Sequence, residues 1–272
     1  MIKALFFDLD GTLLDSNKKI QQSSIKAIKK CREKGIKIFI STARSPMLDK
    51  MLGWDKDIFA LFDGGVYCNG AIIQTGLLTR YNYIDADTME KCCCAADSFP
   101  DVHYALHLTD DNHALNHYLP DNMLIPWGLD REDILPLDKS SMASAVKMII
   151  YYSYLVDSDN ALPQELYEKI RDSYSDNVNV YLQDKGKTIQ LAAKGISKYS
   201  SIVNVCAAYG FKKDEVAVFG DDVNDMEMLT GFPNSIAMGN TDETVKQAAA
   251  FSTLSNDTDG ISYALEKILK II

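Results

Sequence analysis

Lys3-Ala4-Leu5-Phe6-Phe7-Asp8-Leu9-Asp10-Gly11-Thr12 is the stretch on which the fold turns. An apolar run this short, closed abruptly by two carboxylates and a glycine, predicts a buried strand over Lys3–Phe7 that ends in a polar loop. Working outward, Ile20, Ile25, Ile28 and Cys31 mark one face of a helix over Ile20–Lys34, and Gly35 supplies its stop. Ile36–Ile40 then predicts a second strand, again ending in polar residues, Ser41-Thr42-Ala43-Arg44. Strand, helix and strand at this spacing form a βαβ unit, which implies a parallel sheet. The C-terminal third repeats the pattern. A helix is expected over Ile196–Tyr209, a strand over Val216–Phe219 running into Gly220-Asp221-Asp222, and a helix over Asp225–Leu229. A strand over Ser235–Met238 and helices over Thr241–Ala250 and Ile261–Leu269 follow.

The 272 residues are long for one domain and comfortable for two. With 47% hydrophobic and 24% charged residues, the composition is that of an ordinary globular protein and speaks against disordered or collagen-like classes. The longest nearly apolar stretch, Met148–Val156, is far short of the ~20 residues of a membrane helix. The apolar run at Met1–Asp8 is too short for a signal peptide, so a cytoplasmic protein with no membrane partner is expected. A net charge of −10 without a Lys/Arg-rich block makes nucleic acid a poor partner. The six cysteines show no paired C-x-x-C spacing, which speaks against zinc and against a disulfide framework. The sequence leaves the oligomeric state open.

The middle of the chain reads differently. From Tyr83 to Gly186, apolar runs at Val102–Leu108, Val146–Tyr152 and Val178–Leu182 alternate with helical stretches near Asp85–Ser98 and Ala161–Tyr174. Longer irregular loops surround Pro120, Pro126 and Pro136. This predicts a separate α+β module of residues 83–186 inserted into a domain formed by 1–82 and 187–272. All four histidines, His103, His107, His113 and His117, fall in the insertion; core packing is the plainer reading for them than metal binding.

In an open parallel sheet, sites form at the carboxyl ends of the strands. Those ends carry Asp8 and Asp10, Thr42, and Asp221, Asp222 and Asp225. Gathering several carboxylates on one edge is costly through like-charge repulsion, and a hard divalent cation such as Mg2+ removes the cost. Each Asp taken singly is equally well a turn or cap residue, and Asp222 is expected as a helix N-cap and Asp15 as a turn residue.

Asp8-Leu9-Asp10-Gly11-Thr12-Leu13-Leu14 resembles the first motif of the haloacid dehalogenase-like hydrolases. Gly220-Asp221-Asp222-Val223-Asn224-Asp225-Met226-Glu227-Met228-Leu229 resembles their fourth. Thr42 fits the second and Lys198 the third, with Lys194 as the rival lysine. With Asn69-Gly70-Ala71 and Ala237-Met238-Gly239-Asn240, the set is similar to the Cof-type subfamily. That resemblance implies an α/β fold, a Rossmann-like parallel sheet core with helices on both faces, and an α+β cap domain at the insertion. It further implies a Mg2+-dependent phosphatase of small phosphorylated metabolites, with Asp8 as nucleophile and Asp10 as general acid and base. Thr42, Lys198 and Asn224 would serve phosphate binding, and Arg44 either contacts the substrate phosphate too or pairs with a surface acid. The metal site would comprise Asp8, Asp10 (through its carbonyl), Asp221 and Asp225, with Asn224 and Asp225 as inner or outer partners. One departure stands out: the second motif commonly reads T-G-R, and here it is Thr42-Ala43-Arg44, so the glycine is either unneeded or the loop sits differently. Three other readings are weighed against the phosphatase: a sugar phosphomutase on the same scaffold, a phospho-accepting signalling domain, and a binding protein that has lost turnover.

Overall fold

The computed structural model of the chain describes residues 1–152 and 160–272, so the last part of the Met148–Val156 stretch lies outside the described residues. Among those residues there are fourteen strands. In chain order they are β1 (Ala4–Phe7), β2 (Lys37–Ser41), β3 (Gly64–Tyr67), β4 (Ile72–Thr75), β5 (Thr79–Tyr81), β6 (Val102–Leu108) and β7 (His113–Leu115). They continue with β8 (Ile134–Leu135), β9 (Ala145–Tyr152), β10 (Val178–Gln183), β11 (Thr188–Ala193), β12 (Val216–Gly220), β13 (Asn234–Ala237) and β14 (Phe251–Ser252).

The chain divides into two compact units. The first (1–44, 52–80 and 197–272) holds a sheet in the order β14-β13-β12-β1-β2-β3-β4-β5, parallel from β14 to β3. Strand β1 lies in the middle of that sheet, and all four of its residues are fully buried. That is why the opening stretch is an unbroken apolar run rather than an alternating one: a parallel strand is covered on both faces. Phe6 stacks on Phe39 of β2 and Phe7 meets Phe219 of β12, so the strands on either side are fixed by ring contacts as well as by hydrogen bonds. The expected helix after β1 runs Gln22–Glu33, with Ile28 and Cys31 buried.

The second unit (45–51 and 81–196) holds a six-stranded sheet, β10-β11-β9-β6-β7-β8, antiparallel except for the β7–β8 pair. Helices Ala86–Asp97 and Gln164–Tyr174 contribute Met89, Cys92, Cys93, Leu166 and Ile170 to the core that they share with this sheet. The cysteine triplet follows helical geometry, Cys92 and Cys93 facing inward and Cys94 outward. The sheet reaches Ala193 through β11, so the expected boundary at residue 186 falls inside the second unit. Ser45–Met51 joins that unit too, although the sequence reading places it in the first domain. No helix among the described residues is long and apolar enough to cross a membrane.

Asp63 ties the first sheet's edge to its helix. Its carboxylate accepts hydrogen bonds from the Ile38 N–H (2.9 Å), Arg32 Nη1 (2.7 Å) and Lys37 Nζ (2.7 Å). Partial burial would raise its pKa, but the Lys37 and Ile38 hydrogen bonds and the Arg32 charge outweigh it and hold the carboxyl below its ordinary value. A depressed pKa contributes stability that is present above the unfolded carboxyl's range and is lost as pH falls through the folded value. Asp63→Asn should therefore lower unfolding free energy at neutral pH by about 1–2 kcal/mol. Urea unfolding of both proteins should show that gap closing in acid; a gap independent of pH would contradict the charge-based account.

Candidate active site

Three parallel strands deliver the site. Asp8 directly follows β1, Thr42 follows β2 and Asp221 follows β12, each at a carboxyl end. The Asp8 N–H donates to the Phe219 carbonyl and the Thr42 N–H to the Val66 carbonyl, so both loops leave the sheet in register with a neighbour. Lys198 arrives from another direction, as the first residue of the helix Lys198–Tyr209. Ser197 caps that helix reciprocally with Ser200, which is why it starts two residues later than its apolar pattern suggests. A cation at a helix N-terminus is disfavoured by the helix dipole, so something else must hold Lys198 there.

Two carboxylates do. Fully buried, Lys198 places Nζ 2.7 Å from Asp8 Oδ1 and 2.6 Å from Asp225 Oδ1. Burial alone would lower its pKa, but Asp225 and Asp8 more than reverse this, so the ammonium is held charged. Asp225 Oδ2 accepts the N–H groups of Asp221 (2.9 Å) and Asp222 (3.1 Å), and this shapes the fourth-motif loop. Asp221 Oδ1 accepts the Thr12 hydroxyl at 2.7 Å, and the Thr241 hydroxyl donates to the Asp221 carbonyl. No hydrogen-bond donor among the described residues reaches Oδ2 of Asp8 or of Asp221.

Oxygen atoms of Asp8, Asp221 and Asp225 lie within 4.8 Å of one another, the one such group of potential metal-ligating side chains among the described residues. Burial is the chief influence pushing the Asp8 carboxyl well above its ordinary value; Lys198 opposes it, and Asp225 and Asp221 add to it. Burial likewise pushes Asp221 up to about 7, against the Thr12 hydrogen bond. The two glycines of these motifs exist because of this crowding. Gly11 has φ +79°, and a Cβ there would meet Asp221 Oδ2 at 2.2 Å; a Cβ on Gly220 would meet the Asp225 carboxyl carbon at 2.5 Å.

The remaining expected residues fall as follows. The Asp10 side chain stands outside the acidic triplet. Arg44 grips it from one side (Nε–Oδ2 2.6 Å, Nη2–Oδ1 2.7 Å), and Lys18 reaches Oδ1 at 2.7 Å. Burial would raise the Asp10 carboxyl, yet the Arg44 and Lys18 hydrogen bonds and charges bring it below its ordinary value. Arg44 is thus paired with an acid of the first motif. Thr42 is buried and its hydroxyl accepts the Arg44 N–H at 3.1 Å. Ala43 has no positive φ, so this loop makes no torsional demand for glycine. Asn224 Nδ2 donates to Asn69 Oδ1 at 3.0 Å. Asp222 caps the turn Val223–Asp225, as expected, and Asp15 shapes a turn. Lys194, the rival lysine, belongs to the second unit and donates to the Ser175 carbonyl. Sequence reasoning missed Lys18 and Thr12; Thr12 sits in the quoted first motif, whereas nothing marks Lys18 out from its lysine neighbour.

The histidines pair off within the second unit: the rings of His103 and His117 stack at 3.9 Å, and those of His107 and His113 lie 4.1 Å apart. Burial lowers the pKa of all four.

A model of the haloacid dehalogenase-like hydrolases matches residues 5–265. The chain belongs to that family. Within it, the chain is 24% identical over 276 residues to a 5-amino-6-(5-phospho-D-ribitylamino)uracil phosphatase of Bacillus subtilis (strain 168), covering 97% of this chain and 96% of that protein. It is 26% identical over 285 residues to a pyridoxal phosphate phosphatase of Escherichia coli (strain K12), with 96% of each covered. Among solved structures, a subclass IIB sugar phosphatase of the same superfamily superposes with a TM-score of 0.78 at 25% identity, covering 99% of this chain and 100% of that one. The hydrolase expected from the motifs is borne out, and phosphomonoester hydrolysis is the activity that these relatives' names carry.

Removing the Lys198 ammonium leaves two buried carboxylates without their cation. Lys198→Met should cost about 3–5 kcal/mol in metal-free buffer, and Asp225→Asn in the same chain should restore about 1 kcal/mol or more of it. Denaturant midpoints of the single and double variants decide this; additive losses would contradict the charge coupling.

Proposed function

We propose that this hydrolase is a Mg2+-dependent phosphatase of small phosphorylated metabolites that works through an aspartyl-phosphate on Asp8. The observation that carries the proposal is the buried cluster of Asp8, Asp221 and Asp225 around Lys198, with Oδ2 of Asp8 and Asp221 uncommitted. An all-oxygen donor set of this kind suits a hard cation. Asp8 and Asp221 would hold Mg2+ directly, with the Asp10 carbonyl. Asp225, whose two oxygens are engaged by Lys198 and by two backbone N–H groups, would support them from behind. When bound, Mg2+ supplies positive charge against the phosphoryl oxygens and relieves the repulsion among the carboxylates.

The chain's own groups then divide the work. Asp8 attacks phosphorus; an Asp8–phosphorus bond forms, and the bond to the leaving oxygen breaks as the Asp10 carboxyl gives that oxygen its proton. In the second step a water attacks phosphorus, its proton passes to the Asp10 carboxylate, the Asp8–phosphorus bond breaks and phosphate leaves. Lys198 and Thr42 steady the phosphoryl oxygens, the lysine as a point charge and the threonine by its hydroxyl. The relatives' names cover a ribityl phosphate, a cofactor phosphate and sugar phosphates, which favours a small phosphomonoester as substrate.

Purified protein assayed against a panel of small phosphomonoesters should be active with Mg2+, silent in excess EDTA, and restored by added Mg2+. Asp8→Asn should lower kcat by more than about a hundredfold, over ~2.7 kcal/mol of barrier, while melting normally. Full activity in EDTA would contradict the metal site, and a smaller loss in Asp8→Asn would contradict the nucleophile.

A further inference from the structure

Lys18 is solvent-exposed, and an exposed Lys–Asp pair taken alone contributes little. Its backbone is unusual, however. Lys18 has φ 60°, in the left-handed region that non-glycine residues rarely adopt. Such a conformation persists when its surroundings over-determine it. Here they do. Asp15 Oδ1 accepts the N–H groups of Asn17 and Lys19 (both 2.9 Å), the Lys18 N–H donates to the Asp15 carbonyl (2.9 Å), and the Asp15 N–H donates to the Lys19 carbonyl (2.9 Å). The turn is anchored from outside: Asp257 accepts both the Ser16 N–H (2.8 Å) and its hydroxyl (2.6 Å), and Asn256 Nδ2 donates to the Leu14 carbonyl (2.9 Å). From this braced turn the ammonium reaches Asp10 Oδ1, the oxygen that Arg44 Nη2 also contacts.

We propose that Lys18 is a positioning residue for Asp10, holding its carboxyl jointly with Arg44 so that one geometry serves both proton transfers. The assignment rests on the phosphatase reading above. Asp10 must first give a proton to the leaving oxygen and then accept one from water, and a carboxyl free to rotate would miss one partner or the other. Lys18 itself forms and breaks no bond.

The test compares kcat/KM for p-nitrophenyl phosphate and for a primary alkyl phosphate with Mg2+, in wild type, Lys18→Ala and Lys18→Arg. Because kcat/KM ends at phosphorylation of Asp8, the attack by water does not enter it. Nitrophenolate departs without a proton, whereas an alkoxide needs one. Lys18→Ala should therefore lose about tenfold or more on the alkyl ester and no more than about twofold on the nitrophenyl ester, the alkyl loss appearing in kcat. Lys18→Arg should recover most of that loss. Equal losses on both esters, no loss on the alkyl ester, or a change confined to KM would each overturn the assignment. A wild type inactive on every phosphomonoester would instead overturn the phosphatase reading itself, and the assignment with it.

Discussion

One ammonium group, Lys198 Nζ, buried between Asp8 and Asp225, is the interaction on which the rest of this site depends. A carboxylate taken out of water is costly, and several together cost more. Lys198 compensates two of them, and much of the local architecture follows from holding it in place. The Ser197–Ser200 cap sets where its helix begins, and Asp225, having engaged the ammonium with one oxygen, uses the other to fold the loop that presents Asp221. Gly11 and Gly220 are small because the Asp221 and Asp225 carboxyls occupy the space that a side chain would take.

The charges are also sorted. Asp8, Asp221 and Asp225 share a buried cluster with a single lysine, while Asp10, two residues from Asp8, is half-exposed and held by Arg44 and Lys18. Burial pushes Asp8 and Asp221 upward, and the two cations bring Asp10 downward. Two carboxyls of one short motif are thus given opposite environments, one buried among other acids and the other held by two cations. The sheet makes this possible because β1 is central: its last residue meets the ends of β2 and β12 on either side.

The parts legible in the sequence are those whose physics is local. A doubly covered parallel strand is an apolar run wherever it occurs, and the order of β1, the helix Gln22–Glu33 and β2 follows from spacing alone. The motifs likewise carry Asp8, Thr42, Lys198 and Asp221 on the page, since each sits at a strand end or a helix start. What escaped is set by distant partners. Strand β3 opens with Gly64-Gly65, two residues that do not mark a strand by themselves, and its pairing with β2 and β4 places it in the sheet. Strand β11 belongs to the second unit because it pairs with β9 and β10, contacts that no local pattern announces. Lys18 is one lysine among several until the turn from Asp15 to Lys19 gives it a direction.

The central claim is that Asp8, poised beside Lys198, takes the phosphoryl group covalently. Rapid acid quench of the Mg2+-loaded enzyme during turnover of a small phosphomonoester, followed by peptide mass mapping, tests it most directly. The account predicts one added phosphoryl group, confined to the peptide that carries Asp8. Turnover with no acid-stable phosphoryl adduct on that peptide, or an adduct on another residue, would contradict it.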